Sequence, residues 1–380
     1  MKLDVVQLTR DLVAYESPSR ASNVAVTRHL ARLLRSLSFR VEELGYTDER
    51  GVAKLSLVAK LGKGRGGLTF MSHDDVVPAS AADGWKGDPF RARVAGGKVY
   101  GRGACDMKGP LAASICAAAR VRPDDLAAPL FIIVTADEET ECLGARDVVR
   151  RSRLFSEART GYGIICEPTR LRVVHAHKGS LAIRVTSRGR SAHTSTLKGV
   201  NANIRMIPFL AEMKEIYDLV LSSPAYRNEE FDPPHSEWSI GITDGDVAKN
   251  MSPVLSVCTI GYRPMPGIDA EDLAIRTRAC ARRLGLSCQV RRIGTPLYTP
   301  PGSPLVQTAL KLTRTRRAAT VPYGTDGLAY AARMPQLIVL GPGDISQAHT
   351  VDEWIAVEQL RRGTDLYARF IDHVCVRGLP

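Results

Sequence analysis

The sequence predicts an α/β protein with a mixed, largely parallel sheet flanked by helices, interrupted by a smaller α+β unit of ferredoxin-like order. Three observations carry this. Short runs of β-branched and aromatic residues, typified by Phe131-Ile132-Ile133-Val134-Thr135, have the unbroken apolar pattern of strands covered on both faces. Several of these runs end in residues that can do chemistry, and ligands collect at the carboxyl ends of such strands. The chain has 380 residues, more than the roughly 250 to 300 that one core serves, so two domains are expected.

Composition narrows the class. A hydrophobic fraction of 44% and a charged fraction of 24% are those of an ordinary folded domain. The net charge of +12 raises nucleic acid as a partner, but the arginines come in small scattered groups. Arg28, Arg32 and Arg35 fall at helical spacing opposite Val26, Leu30, Leu33, Leu34 and Leu37, the pattern of a solvated helix face. Without a reader motif or interleaved aromatics, a nucleic-acid binder is set aside. No run is long enough to span a bilayer, and Asp4, Arg10 and Asp11 leave no apolar leader, which points to a cytoplasmic protein. The eight cysteines lack paired spacing, against both a disulfide framework and a zinc ribbon. Cys105 and Cys166 are read as packing residues.

In chain order, residues 4–15 and 23–37 read as helices, the second capped by Ser22 or Asn23. Strands follow at 52–60 and 68–71, the latter running into His73, Asp74 and Asp75. Gly101 to Gly109, around Asp106, precedes an alanine-rich helix at 111–120. Its glycines match neither a phosphate loop nor a dinucleotide fingerprint, so they are read as allowing close backbone approach around Asp106. The strand at 131–135 ends in Asp137, Glu138 and Glu139. Another, 163–166, ends at Glu167, and 337–340 leads through Gly341-Pro342-Gly343 to His349.

Between them lies a segment of different organisation. A strand at 181–186, a helix at 201–220, strands at 238–242 and 254–262, a helix at 269–284 and a strand at 287–292 give the β-α-β-β-α-β order of a ferredoxin-like unit. Pro208 predicts a kink or a delayed start in the first helix. The expected organisation is a discontinuous catalytic domain, 1–178 with 292–380, and an inserted domain, 179–291. No internal repeat, low-complexity tract or linker is visible.

Alone, Asp137-Glu138-Glu139 would be a solvated turn opening a helix. Five chemistry-bearing segments at strand-like ends change that reading. Two histidines and several carboxylates without a thiolate pair suit borderline or hard divalent ions. Three adjacent acids are tolerated together where a cation or a raised pKa offsets their repulsion. There are enough ligands for two ions sharing one carboxylate, with one acid left as a base, the arrangement suited to amide hydrolysis.

Ser72 to Pro78, Gly101 to Gly109, Thr135 to Glu139 with Gly144, Glu167-Pro168-Thr169, His177-Lys178-Gly179, Gly189 to Ser195 and Gly341 to His349 together resemble the aminoacylase, acetylornithine deacetylase and succinyl-diaminopimelate desuccinylase family of dinuclear zinc metallohydrolases. The resemblance runs in order through nearly the whole chain. It implies that Asp106 bridges two divalent ions, His73 and Glu167 completing one site and Glu139 and His349 the other. Zinc is the expected metal, with cobalt or manganese as alternatives. It implies Glu138 as general base and Asp75 as the acid that holds the His73 ring. The inserted segment resembles the family's lid and dimerisation domain, in which His193 is a donor to the oxyanion and Asn250 and Arg263 hold the substrate carboxylate. The implied substrate is a small N-acyl amino acid, with neither nucleic acid nor membrane as partner, and the implied assembly is a homodimer. Glu167-Pro168-Thr169, His175 to Gly179 and Leu340 to Gly343 look most like acetylornithine deacetylases, whereas the desuccinylase branch usually has arginine where Lys178 stands. For a cationic substrate side chain, Glu141 or Asp326 is the candidate to face it. Gly261 and Cys166 depart from the family's usual Asp and Gly.

Overall fold

Phe131 and its neighbours form the strand Leu130–Thr135, buried throughout. It pairs in parallel with Leu68–His73, which pairs in parallel with Tyr162–Ile165, which in turn pairs in parallel with Leu337–Val339. These four strands are the centre of a sheet that the computed structural model, describing residues 3–378, continues on both sides with antiparallel neighbours. Ala53–Leu61 and Arg40–Thr47 extend it beyond Leu130–Thr135, and Val174–His177 extends it beyond Leu337–Val339. The parallel core is apolar on both faces because helices cover both, which is why its strands read as continuous hydrophobic runs. Met1 and Lys2, which open the charged amino-terminal stretch, lie outside the described residues.

Helices Val5–Val13 and Val24–Ser36 start and end within a residue or two of their sequence periodicity. Asp4 caps the first, accepting from the Gln7 N–H at 2.8 Å. Asn23 does not cap the second with its side chain. Its amide instead donates to Leu55 O and Asp74 Oδ1, both at 2.7 Å. The alanine-rich helix begins at Lys108 rather than 111 and is buried along its whole length to Ala118. Three short strands not foreseen in the sequence, Arg93–Ala95, Lys98–Tyr100 and Trp354–Ala356, form a separate small sheet. Their brevity leaves no periodicity to read.

The chain divides into two compact units, Met1–Ala176 with Tyr298–Ala319 and Thr325–Pro380, and His177–Leu297 with Thr320–Gly324. The second holds an antiparallel four-stranded sheet in the order Glu237–Thr243, Leu255–Arg263, Ser180–Arg188, Ser287–Gly294. Helices Ala202–Ser222 and Ala270–Arg283 pack on it through Met206, Phe209, Met213, Ile216, Leu273 and Ala274. The first helix starts at Ala202 and continues through Pro208, so its start is not delayed. Interior proline disfavours a helix by about 3 kcal/mol. Buried Met206 and Phe209 on either side of it, each worth roughly 1.5–3 kcal/mol of apolar burial, offset that.

Phe70, fully buried, packs its ring 4.7 Å from that of Tyr367 across one face of the main sheet. Phe70→Ala should destabilise this unit by about 3–5 kcal/mol, read as a shift of the urea midpoint; a loss below about 1 kcal/mol would contradict this account of the core.

Candidate metal centre

The four parallel strands end side by side, and the residues just beyond them converge. His73 is the last residue of its strand and lies opposite Thr135 in register. The pairing runs on past the strand ends, with Asp74 N–H donating to Thr135 O, Cys166 N–H to Met71 O and Leu340 N–H to Ile165 O. This brings the turn at Asp137 to Glu139, Glu167 and the loop from Gly341 to one edge. A Cβ at Gly341 would stand 2.2 Å from Cys166 O and 2.6 Å from Glu167 O, so only glycine lets that loop pass so close. Asp106 comes from the loop that precedes the buried Lys108–Ala118 helix.

Two groups result. His73 Nε2 lies 3.2 Å from Asp106 Oδ1 and 3.5 Å from Glu167 Oε1. His349 Nε2 lies 3.4 Å from Asp106 Oδ2 and 2.9 Å from Glu139 Oε2. Asp106 thus turns one carboxylate oxygen to each histidine. Each trio offers three ligand atoms within 4.8 Å of one another. The first trio is buried, whereas in the second the His349 side chain remains 54% exposed.

The donor set fits divalent cations. His73 Nδ1 is 2.9 Å from Asp75 O, an acceptor only, so Nδ1 carries a hydrogen. Against burial, the hydrogen bonds with Asp106 and Glu167 raise the ring's pKa well above its ordinary value, so without an ion Nε2 is protonated as well, and with one its lone pair is free to bind. Something positive, a proton or an ion, belongs between Nε2 and the carboxylate oxygens. Buried Glu139 Oε1 has no hydrogen-bond partner among the described residues, an orphan that a cation would satisfy. The electrostatics agree. Burial drives Glu167 up to about 7, and the Asp106 charge adds to it. Glu138 and Glu139 are likewise pushed above the carboxylate range, first by burial and then by neighbouring carboxylates. Against burial, the hydrogen bonds with His349 and His73 hold Asp106 below that range. His349 rises to about 10 through its hydrogen bonds with Asp106 and Glu139.

The turn carrying Glu138 and Glu139 is held from behind. Asp137 has a left-handed backbone, φ +58°, unusual for a residue with a Cβ. Its carboxylate accepts from Lys54 Nζ and Tyr46 OH, each at 2.7 Å, and Lys54 is itself buried and donates to Ser19 O and Ala21 O. Asp137, for which the sequence suggested no role, is therefore the anchor of the turn. Lys54 and Tyr46 were missed; a lysine inside a mainly apolar strand that also carries Ser56 and Lys60 was the available signal, since lysine is almost never buried without a partner. Asp75 meets His73 through its backbone carbonyl, while its carboxylate stands 3.6 Å from Nδ1 and accepts from Ser19 Oγ at 2.6 Å and from the N–H groups of Glu138 and Glu139 at 3.2 and 3.4 Å. It thus ties the histidine strand to the acidic turn. Gly144 N–H donates to Ala136 O, and a Cβ there would stand 2.3 Å from that oxygen. Asp326 is buried, its Oδ2 accepting from Thr135 Oγ1 at 2.5 Å, with burial raising its pKa to about 6. Cys105 and Cys166 are fully buried and absent from both ligand trios.

His193, Asn250 and Arg263 belong to the second unit. His193 is exposed, and its Nδ1 lies 2.7 Å from Ser195 Oγ. Asn250 O accepts from Thr194 N–H at 3.0 Å, so His193 and Asn250 share one locality. Arg263 Nε lies 3.4 Å from Glu237 Oε2. No helix among the described residues is long and apolar enough to cross a membrane.

Two outcomes are expected. With His349 raised to about 10, the ion-free protein holds a proton at neutral pH that a cation must displace. Affinity for Zn²⁺ should therefore rise with pH from 6 to 9, by up to about tenfold per unit, with proton release in calorimetry; pH-independent affinity would contradict this. Lys54→Met leaves Asp137 buried with a single donor and should lower stability by about 3–5 kcal/mol, measured by denaturant unfolding.

Comparison with known proteins shows the family. The model of peptidase family M20/M25/M40 matches residues 69–373. An acetylornithine deacetylase of Proteus mirabilis is 35% identical over 98% of this chain and 97% of its own. A metallo-carboxypeptidase of the same family from Sulfolobus solfataricus superposes with a TM-score of 0.77 at 16% identity, covering 97% of this chain and 98% of that one. A protein from Bacillus subtilis described as a dinuclear metal-binding peptidase gives 0.62 at 14%, covering 96% of each. The chain belongs to peptidase family M20/M25/M40.

Proposed function

We propose that this protein is a metal-dependent amidohydrolase that removes an N-acyl group, acetyl in the first instance, from an amino acid. The observation that carries the reading is the shared Asp106, one oxygen toward His73 and one toward His349, with Glu138 near His73 and Glu167. His73, Asp106 and Glu167 would hold one divalent ion and Asp106, Glu139 and His349 a second, zinc ahead of cobalt or manganese given the nitrogen and oxygen donors. When bound, such ions lower the pKa of water and polarise an acyl carbonyl.

The chain's own residues supply the proton transfers. Glu138, pushed well above the usual carboxylate range by burial and by Glu167, Glu139 and Asp326, suits a group that must accept a proton and then release it. It takes a proton from the attacking water as the C–O bond forms, and gives it to the amine nitrogen as the C–N bond breaks. Asp75 and Asp137 keep the turn beneath it in place. His193 is assigned as donor to the tetrahedral oxyanion, and Asn250 and Arg263 as holders of the substrate carboxylate; the support is their match to the family's lid motifs.

Lys178 and the deacetylase relatives favour acetylated substrates over succinylated ones. The same scaffold carries peptidases, so a dipeptidase or aminopeptidase is the second reading. Homodimerisation through the second unit is proposed from its edge strand Glu237–Thr243 and exposed Ile204, Ile207 and Ile242. A role in arginine biosynthesis, in the cytoplasm, follows from the acetylornithine reading.

A metal-reconstituted panel of N-acetylornithine, other N-acetyl amino acids, N-succinyl-diaminopimelate and dipeptides tests the activity, with chelator as control. N-acetyl amino acids should be turned over fastest; no hydrolysis of any substrate would sink the proposal. Glu138→Gln should lower turnover by about 10²–10⁴-fold while two ions per chain remain bound. His193→Ala should lower kcat far more than it changes KM; an unaltered rate would remove His193 from the site.

A further inference from the structure

We infer that Glu353, four residues beyond His349, is a positioning residue that holds the Asp106 loop in register for ion binding. Its side chain is fully buried and accepts four hydrogen bonds, all from one short segment. Oε1 accepts from the N–H groups of Cys105 and Asp106, at 2.8 and 3.0 Å. Oε2 accepts from Gly103 N–H at 3.0 Å and from Arg102 Nη1 at 2.7 Å. The backbone oxygen of the same residue accepts from Gly101 N–H at 2.9 Å. The loop from Gly101 to Asp106 is thus wrapped around one carboxylate.

A carboxylate offers about four lone-pair sites, and here four donors fill them. Charge-assisted bonds of this kind are among the stronger in proteins. Glu353 also begins the link into Trp354–Ala356, which pairs with Lys98–Tyr100, directly before the Asp106 loop. The chain between His349 and this anchor is short. The residue therefore ties the loops of two proposed ligands, His349 and Asp106, that lie 243 positions apart (349 − 106). A purely structural carboxylate would affect stability alone. One that sets Asp106 must also affect how well the trios close on a cation.

This rests on the proposed ligand roles of Asp106 and His349, and Co²⁺ titration of chelator-stripped protein, followed by its visible absorption, separates the two. Glu353→Gln keeps the size but turns an NH₂ toward two of the four donors. It should bind Co²⁺ about 10- to 100-fold more weakly, with an altered spectrum, and show a lower kcat with KM within about threefold of wild type. Arg102→Met removes one donor and leaves the three backbone N–H groups, so a smaller loss in the same direction is expected. If Glu353→Gln does not fold, Arg102→Met decides alone. Wild-type Co²⁺ affinity and spectrum in the folded variants, beside a loss in Asp106→Asn, would overturn the inference even if their Tm falls. Wild-type protein that binds no Co²⁺, or Asp106→Asn that binds it normally, would overturn the ligand assignment and this inference with it.

Discussion

Like charges brought together out of water are the constraint on which this structure turns. Asp106, Glu138, Glu139 and Glu167 converge at one edge of the sheet, where burial penalises every ionised carboxylate and each raises its neighbours. Two histidines answer part of that charge: His73 and His349 each sit within 3.5 Å of two carboxylate oxygens. The remainder is met by protons or by cations. Such a cluster is stable only if the backbone holds it there, because each acid alone would relax toward solvent. The rest of the fold is the means of holding it.

Parallel strands do most of this. In register, they place successive carboxyl ends side by side, so the same hydrogen bonds that build the apolar core also fix the spacing of His73, the acidic turn and Glu167. Buried polar anchors do the rest. Lys54 balances Asp137 beneath the turn, Asp75 joins the turn to the histidine strand, and Asn23 with Thr27 binds Asp74 next to His73. Left-handed backbone at Asp137 and His349, φ +58° and +62°, shows where local preference has been overruled. Strain of this kind, of order 1–3 kcal/mol per residue, persists where surrounding contacts over-determine it.

Most of the candidate ligands were legible in the sequence because they follow short apolar strands, and strand direction is a local signal. His73, the Glu138-Glu139 pair, Glu167 and His349 could be found that way, and Asp106 by its glycines, whereas their division into ligands and base was implied only by the family resemblance. Their supports were not legible in the same manner. Lys54 meets Asp137 across 83 positions, and Glu353 meets Asp106 across 247; no periodicity encodes such a pairing. Asp75 illustrates the intermediate case. Its neighbourhood to His73 was evident from spacing, but that its carboxylate would serve the N–H groups of Glu138 and Glu139 depends on a parallel pairing seen only in three dimensions. Pro208 did not delay the start of its helix, since burial of Met206 and Phe209 offsets its cost.

The two trios are chemically alike but physically unequal. The first consists of wholly buried groups, and its histidine has Nδ1 fixed by the Asp75 carbonyl. The second ends in His349, half exposed on a left-handed loop residue, with Glu139 Oε1 unpartnered opposite it. Low dielectric strengthens attraction between an ion and its carboxylates in the first trio, while water competes in the second. Since Asp106 belongs to both, a cation in one draws charge from the oxygen pair that the other needs. Occupancy of the two trios is therefore coupled through a single side chain, and the orientation of that side chain governs both at once.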